Sequence, residues 1–137
     1  GDYYAEFTVV LGDGVVIGCM DSGANINSYP GASNFGWGYW SVISGLLGNA
    51  SFVGVLPSIS NGQTMGLAIS IVQKKAWINV NGGNWNGDIP ANQNPVGYVG
   101  GIDMSNFINN AVGGIVYFAG CAQGTGRGRN IRRRVRG

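Results

Sequence analysis

The chain has 137 residues, 26 of them glycine, no histidine, and 10% charged residues, against roughly 25% charged in an average soluble domain. That length suits one domain, 1–137, with a core large enough to need no disulfide staples, and the missing histidine excludes Ser-His and Cys-His catalytic pairs and the commonest metal ligand. The net charge of +2 conceals a split: residues 1–126 hold two lysines against six acids, whereas 127–137 hold six arginines, so only the C-terminal end would attract polyanions.

Period-two alternation and β-branched or aromatic runs predict strands over 3–11, 15–20, 36–44, 51–56, 64–72, 76–81 and 114–119. Turn signals rich in Gly, Asn, Asp and Ser separate them: GDG at 12–14, SYPGASN at 28–34, GLLGNA at 45–50, SISNGQ at 58–63, QKK at 73–75 and NGGN at 81–84. Such spacing predicts an all-β sandwich or barrel. The stretch 104–112, MSNFINNAV, is short and Asn-rich and predicts at most a helical turn inside a connection. Within 64–72, Met65, Leu67, Ile69 and Ile71 share one face, and Gly66, Ala68 and Ser70 share the other. The large residues are expected to face the inter-sheet core, and the small ones to lie under another segment or solvent. No apolar run approaches the ~20 residues of a membrane helix. The chain starts inside a strand pattern without Met, which predicts a processed N-terminus or a piece of a longer protein.

The stretch 64–107, TMGLAISIVQKKAWINVNGGNWNGDIPANQNPVGYVGGIDMSNF, sets a strand, a tight turn, a second strand, a polar NWNGD elaboration and a long Pro/Gly/Asn loop ending in GGID. This order resembles the SPRY-like domains, concanavalin-type β-sandwiches, and especially their phage and bacterial versions. GDYYAEFTVV at 1–10 resembles that family's first common strand, and GVVIGCMDSGANINSYPGASNFGWGYWS at 14–41 resembles its strand, Asn/Tyr/Pro/Gly loop and Gly-Trp-Gly-Tyr strand. GGIVYFAGCAQGTG at 113–126 sits where the family has a late strand and turn. The motifs run in family order over nearly the whole chain. The resemblance implies an antiparallel two-sheet jelly-roll sandwich, and strands that usually precede the first are missing or supplied by another chain. It also implies a virion module of a phage: a fibre tip, spike head or head decoration.

Catalysis has little to work with. Glu6 is the sole glutamate, the aspartates are scattered through turns, and no strand carries an E-x-D-x-E cluster. Cys19 and Cys121 match no metal-ligand spacing and are expected as free buried thiols. No enzyme activity, metal or cofactor is predicted. Asn, Asp and Gly beside aromatic rings instead suit sugar recognition, in which rings stack on pyranose faces and amides meet hydroxyls. The candidate contacts are Tyr29, Trp37, Tyr39, Trp85, Asn86, Asp88 and Tyr98. Trp37, Tyr39 and Trp40 lie in one strand, so one face of that set also reads as core, and Trp77 reads as packed. Trp85, between two asparagines in a turn, is the best exposed ring.

The expected partner is therefore a host-surface glycan or protein. The competing expectation is other virion subunits, in a homo-oligomer with a trimer favoured, and nucleic acid and membrane insertion are not expected. The ending GRGRNIRRRVRG, 126–137, reads either as a loose basic tail or as a closing strand over 129–136. In the strand reading, Ile131 and Val135 share one parity with Arg133 between them, and Arg132, Arg134 and Arg136 form a basic stripe on the other.

Overall fold

The structure is a computed structural model and describes residues 2–9, 14–25, 27–123 and 131–135, with residues 122–123 and 131–135 described by backbone alone. Its strands are β1 (Asp2–Thr8), β2 (Gly14–Asp21), β3 (Gly36–Trp40), β4 (Gly45–Gly48), β5 (Thr64–Ser70), β6 (Lys75–Val80), β7 (Ile102–Asp103), β8 (Val116–Gln123) and β9 (Ile131–Val135). One short helix, α1 (Ser105–Asn109), falls within the stretch read as a helical turn. The strands form two antiparallel sheets, in the orders β1-β5-β6-β7 and β4-β3-β2-β8-β9. The all-β class expected from the alternation is what the structure shows.

The core explains the class. β5 turns Met65, Leu67 and Ile69 inward, and β6 adds Ala76 and Ile78. From the other sheet come Val15, Ile17 and Cys19 of β2, Trp37 and Tyr39 of β3, and Val116 and Phe118 of β8. Met104 and α1's Phe107 plug the same cluster. A fully buried side chain of this size stabilises by about 1.5–3 kcal/mol relative to exposure, so both sheets are held by what they bury together. Trp37 and Tyr39 are 0% exposed. That corrects their place among the ring contacts: alternation along β3 turns both rings inward, and the Tyr39 hydroxyl donates to the Pro57 carbonyl at 2.6 Å.

Two expected strands differ. The stretch 51–56 forms none; Ser51 makes one bridge to Asp103, and Val53 and Val55 are 101% and 86% exposed. Its alternation is real, but among the described residues no strand lies alongside to pair with it beyond the Ser51–Asp103 bridge. Sheet pairing occurs instead at Gly45–Gly48, within a stretch that reads as a turn, where Leu46 and Leu47 pair with Tyr39 and Gly38. The strand expected over 36–44 stops at Trp40 because the chain reverses, with Ser44 at φ 47. At the C-terminus, β9 lies within 129–136 and pairs with β8, setting Arg132, Arg133 and Arg134 against Ala119, Phe118 and Tyr117. Arg136 lies outside the described residues. Cys19 is a buried free thiol, whereas Cys121, also expected to be buried, is half-buried; burial pushes the Cys19 thiol well above its ordinary range.

Backbones approach closely at β2–β3. A Cβ on Gly18 would stand 2.1 Å from the Trp37 carbonyl oxygen. Gly82, in a turn at φ +70, has no neighbour within 4 Å of the same position. Gly18→Ala is therefore expected to cost about 3 kcal/mol or more by forcing two strands apart, and Gly82→Ala about 1–2 kcal/mol from backbone strain alone. Denaturant midpoints of the two variants, compared with the parent, check this ranking.

Candidate functional site

The outer face of the four-stranded sheet carries a groove whose floor follows from the strand register. Across β1, β5 and β6 the outward residues fall in rows: Asp2, Ser70 and Lys75; Tyr4, Ala68 and Trp77; Glu6, Gly66 and Asn79. The middle strand supplies only small side chains, so the face is hollow along β5 and raised on both sides. A Cβ on Gly66 would meet the Tyr4 hydroxyl at 2.7 Å, so glycine there lets the Tyr4 ring lie across the sheet. The cavity holds about 410 Å³ and is lined by Asp2, Tyr3, Tyr4, Ala68, Ile69, Ser70, Trp77, Trp85, Pro95 and Val96. That is within the size range of small-ligand sites.

The far wall is built by the NWNG stretch. After β6 the chain turns back in a 3-10 turn, Trp85–Gly87, with Asn86 at φ 49. The Asn86 side chain is 1% exposed. Its Oδ1 accepts the Ile78 N–H at 2.9 Å, and its Nδ2 donates to the Ala76 carbonyl at 3.5 Å and to Gln93 Oε1 at 3.0 Å. β7 pairs with β6 only at Lys75 and Ala76, so beyond that point the amide takes a strand's place on the β6 edge. Trp85 is thereby set over the sheet, with its ring against Tyr4 at 6.2 Å between centroids and 80° between planes.

The loop that follows closes the top. Exposed Asp88 braces the loop: its Oδ1 accepts the Ile89 N–H at 2.7 Å, and its carboxylate receives the Asn92 amide. The Trp77 indole donates to the Val99 carbonyl at 2.9 Å. Tyr98, at φ 58, donates its hydroxyl to Asp2 Oδ2 at 2.5 Å, and Lys75 Nζ donates to the Tyr98 carbonyl at 3.2 Å. The Tyr98 and Ser70 hydroxyls hold the Asp2 carboxyl below its ordinary value, so it is a carboxylate at neutral pH. Burial, together with the Glu6 carboxylate that accepts the Tyr4 hydroxyl at 2.7 Å, pushes the Tyr4 phenol up to about 12.

The seven candidate ring and amide contacts thus divide. Trp85 lines the groove and Tyr98 stands beside it; buried Asn86 shapes its wall from within, and exposed Asp88 braces the following loop through Ile89 and Asn92. Tyr29 lies elsewhere, in a shallow pocket with Met20, Asn25 and Ser33. Sequence reasoning missed Asp2 and Tyr4 as groove residues; Trp77, expected to be packed, is buried at 1% exposure in the groove floor. The signal for them was present in Gly66, Ala68 and Ser70, a small-residue face whose rows end in aromatic rings. Among the described residues no group of three or more His, Cys, Asp or Glu is arranged to hold a metal ion. What the groove offers is aromatic surface, one ionised carboxylate and few free hydrogen-bonding groups. No protein-family model matches the chain, and no curated protein matches it.

Asn86→Ala leaves the Ile78 N–H and Ala76 carbonyl unpaired in a buried place, which is expected to cost about 2–3 kcal/mol. It also frees the Trp85 ring. Denaturation with tryptophan fluorescence checks both: a lower midpoint and a red-shifted native emission.

Proposed function

We propose that the chain is a non-enzymatic recognition module of a phage particle, with a SPRY-like, concanavalin-type jelly-roll sandwich, that binds a host-surface glycan or protein. The observation that carries the reading is the groove over Ala68 and Ser70, walled by Tyr4 and Trp85. Tyr4 and Trp85 present accessible ring surface beside a hollow whose floor includes the buried Trp77, and accessible rings around a hollow are what a binding site needs. Three of its elements, Gly66, Asn86 and the Asp2–Tyr98 tie, serve its shape. The motif order along the chain supplies the phage setting.

Binding to an array of bacterial surface glycans and outer-surface proteins is expected for the parent protein and is lost in Trp85→Ala. An array blank for the folded parent, or retained binding in the folded variant, ends this reading.

A second reading, a virion structural part whose partners are other virion subunits or copies of itself, draws on a different surface. Val42, Ile43, Val53 and Val55 are exposed apolar side chains in the segments flanking β4, and exposed apolar surface often marks contact with another chain. The β1 strand is a seven-residue sheet edge of the kind proteins protect or pair. This reading expects a homo-oligomer, a trimer by the fibre analogy, whose mass falls to that of one 14.3 kDa chain in a Val53→Asp, Val55→Asp double variant. Light scattering behind size-exclusion chromatography measures it; a monomeric parent removes the self-assembly form of the reading.

A further inference from the structure

The lining of the groove is poorly suited to a ligand that is hydroxylated all round. Its polar side-chain groups are the Asp2 carboxylate, the Ser70, Tyr3 and Tyr4 hydroxyls and the Trp77 and Trp85 indole N–H groups, and four of them are engaged: Tyr98 donates to Asp2, Tyr4 to Glu6, the Gln73 N–H to Ser70, and the Trp77 indole to the Val99 carbonyl. A sugar ring presents several hydroxyls, and each one buried without a partner weakens binding. The remaining lining is aromatic and aliphatic, with Tyr4, Trp77, Trp85, Ala68, Pro95 and Val96 dominating.

The charge of the lining is one-sided. The faces of aromatic rings carry negative potential, and Asp2 adds a full negative charge held in place by hydroxyls. Among the described residues no cationic side chain lines the cavity. Lys75, the cation in the Asp2 row, turns its ammonium to the Tyr98 carbonyl. Tyr4 and Trp85 stand at 80° to each other, two adjoining walls of a box. A cation clothed in methyl groups fits these features together. Its charge is spread over apolar surface, it is drawn to ring faces, and it asks for no hydrogen-bond acceptor.

We propose that the groove is an aromatic cage for a quaternary methylammonium group of the choline type, borne on a host-surface glycan, with Tyr4 and Trp85 as walls and Asp2 as counter-charge. The inference rests on the reading that this groove is the ligand site.

Calorimetric titration of the full chain with choline chloride and with its neutral carbon isostere, 3,3-dimethylbutan-1-ol, tests it. Choline is expected to bind about tenfold tighter than the isostere. Asp2→Asn weakens choline severalfold and leaves the isostere unchanged, and Trp85→Ala abolishes both. Tyr4→Leu, at a half-exposed position, repeats the wall test if Trp85→Ala loses its native circular dichroism. Equal affinity for the two probes overturns the cage. Failure of both probes while a neutral glycan still binds in a Trp85-dependent way overturns the cage and leaves the groove as the site. Choline binding indifferent to both wall variants overturns the cage and the groove together. Retention on a phosphocholine-substituted polysaccharide, and not on phosphatidylcholine vesicles, supports the glycan as carrier; retention on the vesicles alone overturns that assignment.

Discussion

The side-chain amide of Asn86 holds the outer face of the four-stranded sheet in its shape. It offers β6 one acceptor and one donor, the pair a neighbouring strand would offer, at the place where β7 has ended. A buried strand edge left without such partners would be penalised at each unpaired group. Because the amide belongs to a turn, satisfying the edge also fixes the turn, and with it the Trp85 ring and, through Gln93, the loop beyond. Gln93 Oε1 receives both Asn86 Nδ2 and the Gly101 N–H. One polar contact chain therefore runs from a sheet edge to the wall of a groove and on to the start of β7.

Much of the architecture was legible because it rests on alternation. The large and small faces of 64–72 were separable by parity, and the core took Met65, Leu67 and Ile69 as that parity required. The stretch 51–56 shows the limit. Its pattern is as regular as that of a strand, yet alternation only describes a surface able to be half-buried, and pairing needs a neighbour at the right place. β4 formed from two leucines between glycines because β3 reverses at Ser41–Ser44 and lays that short segment alongside itself. Nothing local in GLLG announces it.

The groove was half legible. Trp85 stood out because its asparagine neighbours mark a turn, and exposed rings in turns are conspicuous. Asn86 and Asp88 looked like ligand groups because their chemistry is the same whether the partner is a sugar hydroxyl or the protein's own backbone; the burial of Asn86 and the bonds of the exposed Asp88 to Ile89 and Asn92 appear only in the fold. Tyr4 and Asp2 were invisible as site residues because their neighbours in space are more than sixty residues away in sequence. Only the register of β1 against β5 brings Tyr4 beside Ala68, and only the Tyr98 turn brings a hydroxyl to Asp2. Trp37 and Tyr39 stood open between ligand contact and core, since alternation puts both on one face of the strand without saying which side of the sheet is covered.

The placement of β1 has a mechanical side. The strand forms one wall of the groove, and it lies antiparallel along β5 over all seven of its residues. Tension entering the chain ahead of Asp2 and drawn along the strand would load those pairings in shear, where they share the force, rather than peel them apart in turn. The Asp2–Tyr98 tie sits at the point where such a pull arrives, and the loop it anchors closes the groove. Such a load would thus reach the tie at the Tyr98 hydroxyl first, before the pairings that hold Tyr4 beside Ala68.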